Sequence, residues 1–277
     1  MALGPVELAV IAAGFGLLLW FALRRLAPDD VTRWASAYDL TLTGRNRDLV
    51  TGYLRRAQRW RRGGFVVGLL SSGALPGTGL LMPGLGYTAG IVAAEVLTQR
   101  GEPSGAAVLE PRRLAQYLPA KLVWIPRMLV VALLGAATWS LTIDPDPLDD
   151  FIDDTGILAL AALALGVLLV AEVLEQHIVA RRQPLTEVDL LAADDALRTQ
   201  SLHALAGAVI IAAGSLAFPL LYRPAQADYL NPAVDLVAVL APVAGWLVGI
   251  WYQNRAWRVR RALPPIAPAS PSPSPLP

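Results

Sequence analysis

The chain has 277 residues, of which 55% are hydrophobic and only 16% are charged. A soluble domain normally carries about 25% charged residues, so this composition excludes an ordinary soluble protein and favours lipid as the solvent. There are no cysteines, which excludes disulfides, cysteine-ligated zinc, iron–sulfur clusters and thiol catalysis.

Apolar segments long enough to cross a membrane recur along the chain. About 20 apolar residues in a helix cross a hydrocarbon core of about 30 Å. Five segments meet this length, and in chain order they are 5–23, 122–141, 156–174, 204–221 and 233–252. A sixth region, 65–97, is too long for one crossing and short for two. We predict either two short helices there, giving seven in all, or a re-entrant hairpin, leaving five.

The positive charges predict the orientation of these helices. Of the 23 basic residues, all but Arg127 and Arg223 lie in four stretches: 24–62, 98–121, 175–203 and 253–261. By contrast, the connection 143–155 contains six aspartates and no basic residue. Because basic connections stay on the cytoplasmic side, we predict the N-terminus outside and the C-terminus inside. Region 65–97 then crosses an even number of times.

The long basic connection has helices of its own. We predict one helix capped by Asp29 or Asp30 and ending at Tyr38, with Val31, Trp34 and Tyr38 on one face. A second helix is expected over 46–62. Its predicted apolar side consists of Leu49, Tyr53, Leu54 and Trp60.

Four regions follow from these patterns: a first transmembrane helix (1–23), a cytoplasmic basic amphipathic loop (24–63), a transmembrane helical bundle (64–261) and a disordered Pro-rich cytoplasmic tail (262–277). Basic amphipathic helices beside a crossing commonly lie on anionic lipid, so the expected partner is a bilayer with an anionic inner leaflet. A protein partner for the loop or the tail is also expected. Nucleic acid is not, because no recognition fold fits about 40 residues tethered at both ends.

Region 63–90 contains nine glycines together with Pro76 and Pro83. Broken helices in a membrane often line a transport path, to which Ser71, Ser72, Thr78 and Thr88 would supply hydroxyls. The alternative is close helix packing, since Gly86 and Gly90 form a GxxxG pair, as do Gly245 and Gly249. The sequence favours packing and leaves the path open.

Charged residues inside a membrane are the usual signs of function. Glu95, Arg127 and Glu172 lie about one turn inside the predicted inner boundary, and we name them with the four hydroxyls as candidate path or substrate-binding residues. Pairing of Glu95 with Arg127, or snorkelling of both, would explain them without transport. Glu95 and Glu172 also occupy the same position in AEVLTQ (94–99) and AEVLEQ (171–176), which is consistent with an internal duplication or with chance.

Several enzyme classes are excluded by missing motifs. The only lysine, Lys121, follows Pro119 and Ala120, so there is no phosphate-binding P-loop. There is no HExxH motif, and His177 and His203 are too few for a three-histidine zinc site. We therefore predict no catalytic residue, no metal and no cofactor.

Two stretches resemble known sequences. WASAYDLTLTGRNRDLVTGYLRRAQRWRR (34–62) and AADDALR (192–198) are similar to stretches in uncharacterised polytopic membrane proteins of high-GC Gram-positive (actinobacterial) type. The resemblance covers the inner connections and implies no activity, ligand or catalytic residue.

The sequence predicts an all-α, polytopic transmembrane bundle in a bacterial cytoplasmic membrane. The expected function is that of a non-enzymatic structural or accessory membrane subunit. The alternative is a transporter or permease component with a path along the Gly-rich hairpin 64–98, and a membrane-embedded enzyme comes third.

Overall fold

The computed structural model describes Gly16 and residues 27–74, 81–98, 113–143, 152–181, 188–227 and 232–254. Within these ranges the chain forms seven α-helices, one short 3-10 helix and no strand, so the predicted all-helical fold is confirmed. The helices are α1 (Pro28–Ala37), α2 (Gly44–Ala74), α3 (Leu81–Thr98), α4 (Ala120–Leu141), α5 (Asp154–Ala180), α6 (Val188–Ala227) and α7 (Pro232–Asn254), with the 3-10 helix at Leu114–Gln116. Of the predicted first crossing only Gly16, which is helical, is described, and the tail 262–277 lies outside the described residues.

Four of these helices are long and apolar enough to cross a membrane. They contain the segments Leu122–Leu141, Asp154–Ala180, Asp189–Ala225 and Leu236–Asn254. Large apolar side chains point away from the protein on them, such as Trp124 and Val173, which are 59% and 64% exposed. Helix α3 is also apolar but shorter. This surface suggests a membrane protein, because water would be a poor solvent for it.

Helix α6 is the centre of the molecule. Of its most apolar stretch, 83% is buried, against 17% for α5, which lies at the periphery. Its 40 residues extend over about 60 Å, twice the thickness of a hydrocarbon core of about 30 Å. The predicted crossing 204–221 is therefore only the second part of a helix whose first part continues beyond the apolar layer.

Helix α2 is also longer than predicted. The helix expected over 46–62 exists, but its predicted end is wrong, because it runs without a break to Ala74. The division at 63/64 between basic loop and bundle therefore falls within one helix. Its inward face consists of Asn46, Val50, Tyr53 and Ala57, all buried.

The predicted apolar side of α2 is not the face that packs against the protein. Tyr53 is buried, whereas Leu49 and Trp60 are 47% and 40% exposed. The reason is tertiary: α3 and α6 contact α2 on the face that contains Val50 and Ala57, which is rotated from the face that apolar content alone selects.

Glycines bring α2 and α3 into backbone contact. A Cβ atom on Gly64 would strike the carbonyl of Gly86 and lie 2.9 Å from the amide nitrogen of Gly90. On Gly68 it would lie 2.9 Å from the Cα of Pro83. Real Cβ atoms do not approach so closely, so only glycine permits this helix pair, and the predicted packing role of Gly86 and Gly90 is confirmed.

Helices α6 and α7 also pack closely through glycines. A Cβ atom on Gly214 of α6 would lie 2.7 Å from the Cα of Gly245 on α7, and one on Gly207 would lie 2.6 Å from the carbonyl oxygen of Gly249. The predicted packing role of Gly245 and Gly249 is therefore confirmed as well. Helix α7 is thereby fixed against the central helix.

Helix α1 forms as predicted, with a different start. Its N-cap is Ala27, and Asp30 lies one turn inside, where its carboxylate accepts a hydrogen bond from the Ala27 amide at 2.8 Å. Val31 and Ala35 are buried in an apolar cluster with Val50 of α2 and Ala193 of α6. The first part of α2, together with α1, is thus docked on the first part of α6.

Candidate functional site

The first half of α6 is polar and yet buried. Its buried polar side chains are Asp194, Arg198, Thr199, Gln200, Ser201 and His203. Buried polar groups require partners, because water is no longer available to them. Helices α1, α2, α3, α5 and α7 supply most of these partners, and this region is the candidate site.

Glu95 of α3 lies at one side of the site and is 2% exposed. The Tyr53 hydroxyl of α2 donates a hydrogen bond to its Oε1 at 2.7 Å, and the same hydroxyl lies 2.8 Å from Ser201 Oγ of α6. The Arg61 guanidinium is close enough to interact electrostatically with both Glu95 and Tyr53. The glutamate therefore joins three helices.

Gln200 of α6 lies at the other side. Its Oε1 accepts hydrogen bonds from Trp34 Nε1 at 3.1 Å and from the Tyr38 hydroxyl at 3.0 Å, and its Nε2 donates to the Gln253 carbonyl of α7 at 3.0 Å. Burial raises the pKa of the Tyr38 phenol above its ordinary value, and the nearby Arg61 guanidinium offsets this only in part. Tyr38 thus keeps its proton and remains a donor.

Tyr87 of α3 connects the two sides. Its hydroxyl donates to Gln253 Oε1 at 3.1 Å and is also within reach of the Arg61 side chain. We define the polar cluster as Tyr53, Arg61, Tyr87, Glu95, Gln200, Ser201 and Gln253, held in place by Trp34 and Tyr38 of the α1 region.

Some donors in and beside the polar cluster have no partner among the described residues. They include Arg61 Nε and Gln253 Nε2. His203 is fully buried next to it, and its ring approaches the backbone of Tyr252 without meeting the geometry of a hydrogen bond.

Arg198 forms a separate buried arrangement nearby. Its Nε donates to Asp194 Oδ2 at 2.7 Å, and its Nη1 donates to the Ile178 carbonyl at 2.9 Å, at the end of α5. Arg181 also pairs with Asp194, at 2.6 Å. The last carbonyls of a helix have no partner within it, so Arg198 acts as a cap for α5. The four-residue spacing of Asp194 and Arg198 in AADDALR is the sequence signal that could have indicated the pair.

The suggested pairing of Glu95 with Arg127 is wrong. Arg127 of α4 instead donates from Nε to Glu172 Oε1 of α5 at 2.7 Å, and both side chains are about a third exposed, at 30% and 32%. The guanidinium also lies over the Trp124 ring, 5.4 Å from its centroid. Glu95 faces α2 and α6, because α3 packs between them, and it does not meet α4.

The predicted path hydroxyls that the structure describes each bond to a backbone carbonyl. Ser71 donates to Val67 and Ser72 to Gly68, both within α2, at 2.9 and 3.1 Å. Thr88 is buried and donates across to the Ala208 carbonyl of α6 at 3.1 Å. Thr78 lies outside the described residues. Of the seven candidates, Thr88 and Glu95 share the α3 surface facing α6, Arg127 and Glu172 form a second place, and Ser71 and Ser72 a third.

The chemistry of the polar cluster is hydrogen bonding between helices. The described residues contain no group of three or more histidine, aspartate or glutamate side chains that could hold a metal ion.

Sequence reasoning identified Glu95 but missed Tyr87, Gln200, Ser201 and Gln253, because uncharged polar residues on long helices carry no motif. No family model, curated protein or solved structure matches this chain.

Proposed function

We propose that the protein is a non-enzymatic, multi-pass component of a bacterial cytoplasmic membrane, with a structural or accessory role exercised at its inner face. The observation that carries this proposal is the direct backbone contact of α2 with α3 at Gly64, Gly86 and Gly90. It leaves no room for a path between these two helices in the region where the sequence suggested one.

The bonding of the candidate residues gives further support. The described hydroxyls Ser71, Ser72 and Thr88 are each used within the protein. Glu95 is likewise hydrogen-bonded to Tyr53. A substrate path needs groups that exchange protein partners for substrate or water, and groups with internal bonds serve packing instead.

The inner face offers a docking layer for the proposed role. Helix α1 and the first half of α2 are held to α6 through Trp34, Tyr38 and Tyr53. The two stretches that resemble actinobacterial membrane proteins, 34–62 and 192–198, meet in this layer, with Val50 and Ala193 in one apolar cluster. We propose on this basis that the chain is of that type, with the layer and the tail 262–277 available to a protein partner.

Cysteine accessibility tests this proposal, since the chain has no native cysteine. Single cysteines at Thr88, Ser72 and Ser36 are treated in membranes with a water-soluble, membrane-impermeant thiol reagent from each side. Ser36 is exposed on α1 and serves as the matched serine control. We expect Ser36→Cys to react from the inner side only, and Ser72→Cys and Thr88→Cys to remain unmodified while it reacts completely.

The transporter alternative predicts a different pattern. Reaction of Thr88→Cys at a rate comparable to that of Ser36→Cys would require water next to a buried position of α3. That result would overturn the structural role and establish a water-filled path along the Gly-rich hairpin. Reaction of Ser36→Cys from the outer side would instead reverse the proposed orientation.

A further inference from the structure

The outward face of α2 changes character along its length. Near the inner end it exposes Arg55, Arg56 and Arg59. Further along it exposes Val66, Val67 and Leu70, which are 41%, 63% and 71% exposed. Residues three, four and seven apart share one side of a helix, so both groups belong to a single stripe.

The arginines of this stripe have no counter-charge within the described part of the protein. No described acidic side chain pairs with Arg55, Arg56 or Arg59, although Arg33, Arg127, Arg181, Arg198 and Arg223 all have carboxylate partners. Three neighbouring guanidinium groups repel one another unless an anion lies among them. Guanidinium groups bind phosphate in a planar, two-point geometry, which makes phosphate the matching anion.

Trp60 and Gly63 lie between the two groups. The Trp60 ring is 40% exposed, and tryptophan prefers the boundary between headgroups and acyl chains. A Cβ atom on Gly63 would meet nothing within 4 Å, so the helix backbone is accessible from outside at this point of the stripe. Along the helix the arginines come first, the interfacial Trp60 second and the aliphatic side chains last. The corresponding parts of a phospholipid are the phosphate, the boundary between headgroup and acyl chain, and the acyl chain itself.

The length of the stripe also fits one lipid. From Arg56 to Leu70 the helix rises about 21 Å, at 1.5 Å per residue. One leaflet, including its headgroups, is half of a bilayer of about 40–45 Å, or about 20–22 Å. A continuous α2 is essential for this match, because a break near residue 63 would separate the arginines from the aliphatic surface.

We propose that this stripe is a binding site for one anionic phospholipid of the inner leaflet, its phosphate held by Arg56 and Arg59 and its acyl chain lying along Val67 and Leu70. Charge complementarity and the matched length favour a lipid, because a single phospholipid presents its phosphate and its acyl chain in the same order and over the same length as the stripe. The proposal rests on the membrane location and is independent of the accessory role.

The test uses the full chain in nanodiscs of phosphatidylcholine that contain either brominated phosphatidylglycerol or brominated phosphatidylcholine at equal mole fraction. Bromine quenches tryptophan at short range, and the Trp60 contribution is the difference between the wild type and Trp60→Phe. We expect several-fold stronger quenching of Trp60 by the anionic lipid. Arg56→Gln and Arg59→Gln should each lower this preference by about fivefold, the value for one basic residue at an anionic surface.

Arg47→Gln is the matched control, because Arg47 is exposed on the same helix but lies about 14 Å nearer its start than Arg56. It should leave the preference unchanged. Equal quenching by the two lipids would overturn the proposal and mean only general lipid contact. Absence of quenching by both would also overturn it, since another segment or a second copy would then cover the stripe. Neither result affects the cysteine labelling of Thr88, so the two proposals fail separately.

Discussion

Helices α3 and α5, each the second helix of a pair (α2–α3 and α4–α5), share the residues AEVL at 94–97 and 171–174, but the two environments differ. The shared alanines, Ala94 and Ala171, are both buried. Glu95 beside the first is 2% exposed and bonded to Tyr53, whereas the Glu172 side chain beside the second is 32% exposed and paired with Arg127. The same residues thus form a buried junction in one pair and an ion pair that is about a third exposed in the other.

The two pairs also pack differently. In α2–α3 the backbones touch at glycines, whereas α4 and α5 contribute larger side chains such as Leu133 and Ile157 to one apolar cluster that they share with α6. A Cβ atom on Gly135 or Gly166, which lie in the middle of α4 and α5, would meet nothing within 4 Å, and one on Gly156 in the first turn of α5 would meet only the adjacent Ile152 and Asp153 side chains. The comparison teaches that a glycine or a glutamate in a membrane segment acquires its role from the neighbouring helix. Whether the pairs arose by duplication stays a prediction.

The largest effect is expected at the backbone contact of the first pair. Gly64→Leu should destabilise the protein by about 3 kcal/mol or more, because its side chain would displace the α3 backbone rather than a flexible neighbour. Gly135→Leu, the matched change in the second pair, should cost less than about 0.5 kcal/mol. Thermal unfolding of both variants in the same detergent measures the difference. Equal melting temperatures would contradict the proposed contact.

The next largest difference in stability is expected between substitutions of the two corresponding glutamates, Glu95 and Glu172. Glu95→Ala leaves the Tyr53 and Ser201 hydroxyls without their carboxylate in a buried site, at a cost of about 2–3 kcal/mol. Glu172→Ala removes a partly exposed ion pair, which contributes about 1 kcal/mol or less. Unfolding by a denaturing detergent, followed by tryptophan fluorescence, compares the two. A larger loss for Glu172→Ala would reverse our assignment of the buried junction.

A smaller effect is expected where α3 meets the middle of α6. A Cβ atom on Gly84 would overlap the Ser215 hydroxyl and lie 3.4 Å from Trp246 Nε1. Gly84→Ala should therefore cost about 1–2 kcal/mol through overpacking. Combination with Ser215→Gly, which removes the colliding side chain, should restore part of this loss. A double variant no more stable than Gly84→Ala would exclude Ser215 as the source of the strain.

The smallest effect is expected at the open glycine of the second pair. Gly135→Ala adds a methyl group in open space within α4 and should stabilise the helix by about 0.5–1 kcal/mol. The same change at Gly86 should destabilise, because the added atom would strike the Gly64 carbonyl. Shifts in melting temperature of opposite sign would establish the contrast with the least possible change in side-chain size, and a gain at both positions would refute it.

Much of the helical layout could be predicted from the sequence. The predicted segment 122–141 lies within α4 (Ala120–Leu141) and ends at the same residue, and the predicted crossings at 156–174 and 233–252 lie within α5 and α7. Apolar length determines such elements, because a chain in lipid must satisfy its backbone hydrogen bonds within each helix. The polar ends of α2 and α6 are less predictable, since composition changes along both helices while the backbone continues.

The candidate site was predictable only in part. Glu95 is visible as a charge in an apolar segment, but the partner suggested for it, Arg127, is wrong, because sequence spacing does not reveal which helices are neighbours. Gln200 and Gln253 carry no signal, since an uncharged polar residue has the same appearance on a lipid-facing or a buried surface. Their roles depend on the contact of α6 with α1 and α7.

The helical character of the chain, its suitability for lipid and the separation of basic from acidic connections can all be predicted from the sequence, because these properties depend on local composition and length. The central position of α6, the inward face of α2 and the partner of each glutamate follow from the packing of the helices. These depend on how closely helix backbones approach one another, and residues as far apart as Tyr53 and Ser201 then share a hydrogen bond. Sequence patterns along a single helix do not indicate the distances between helices.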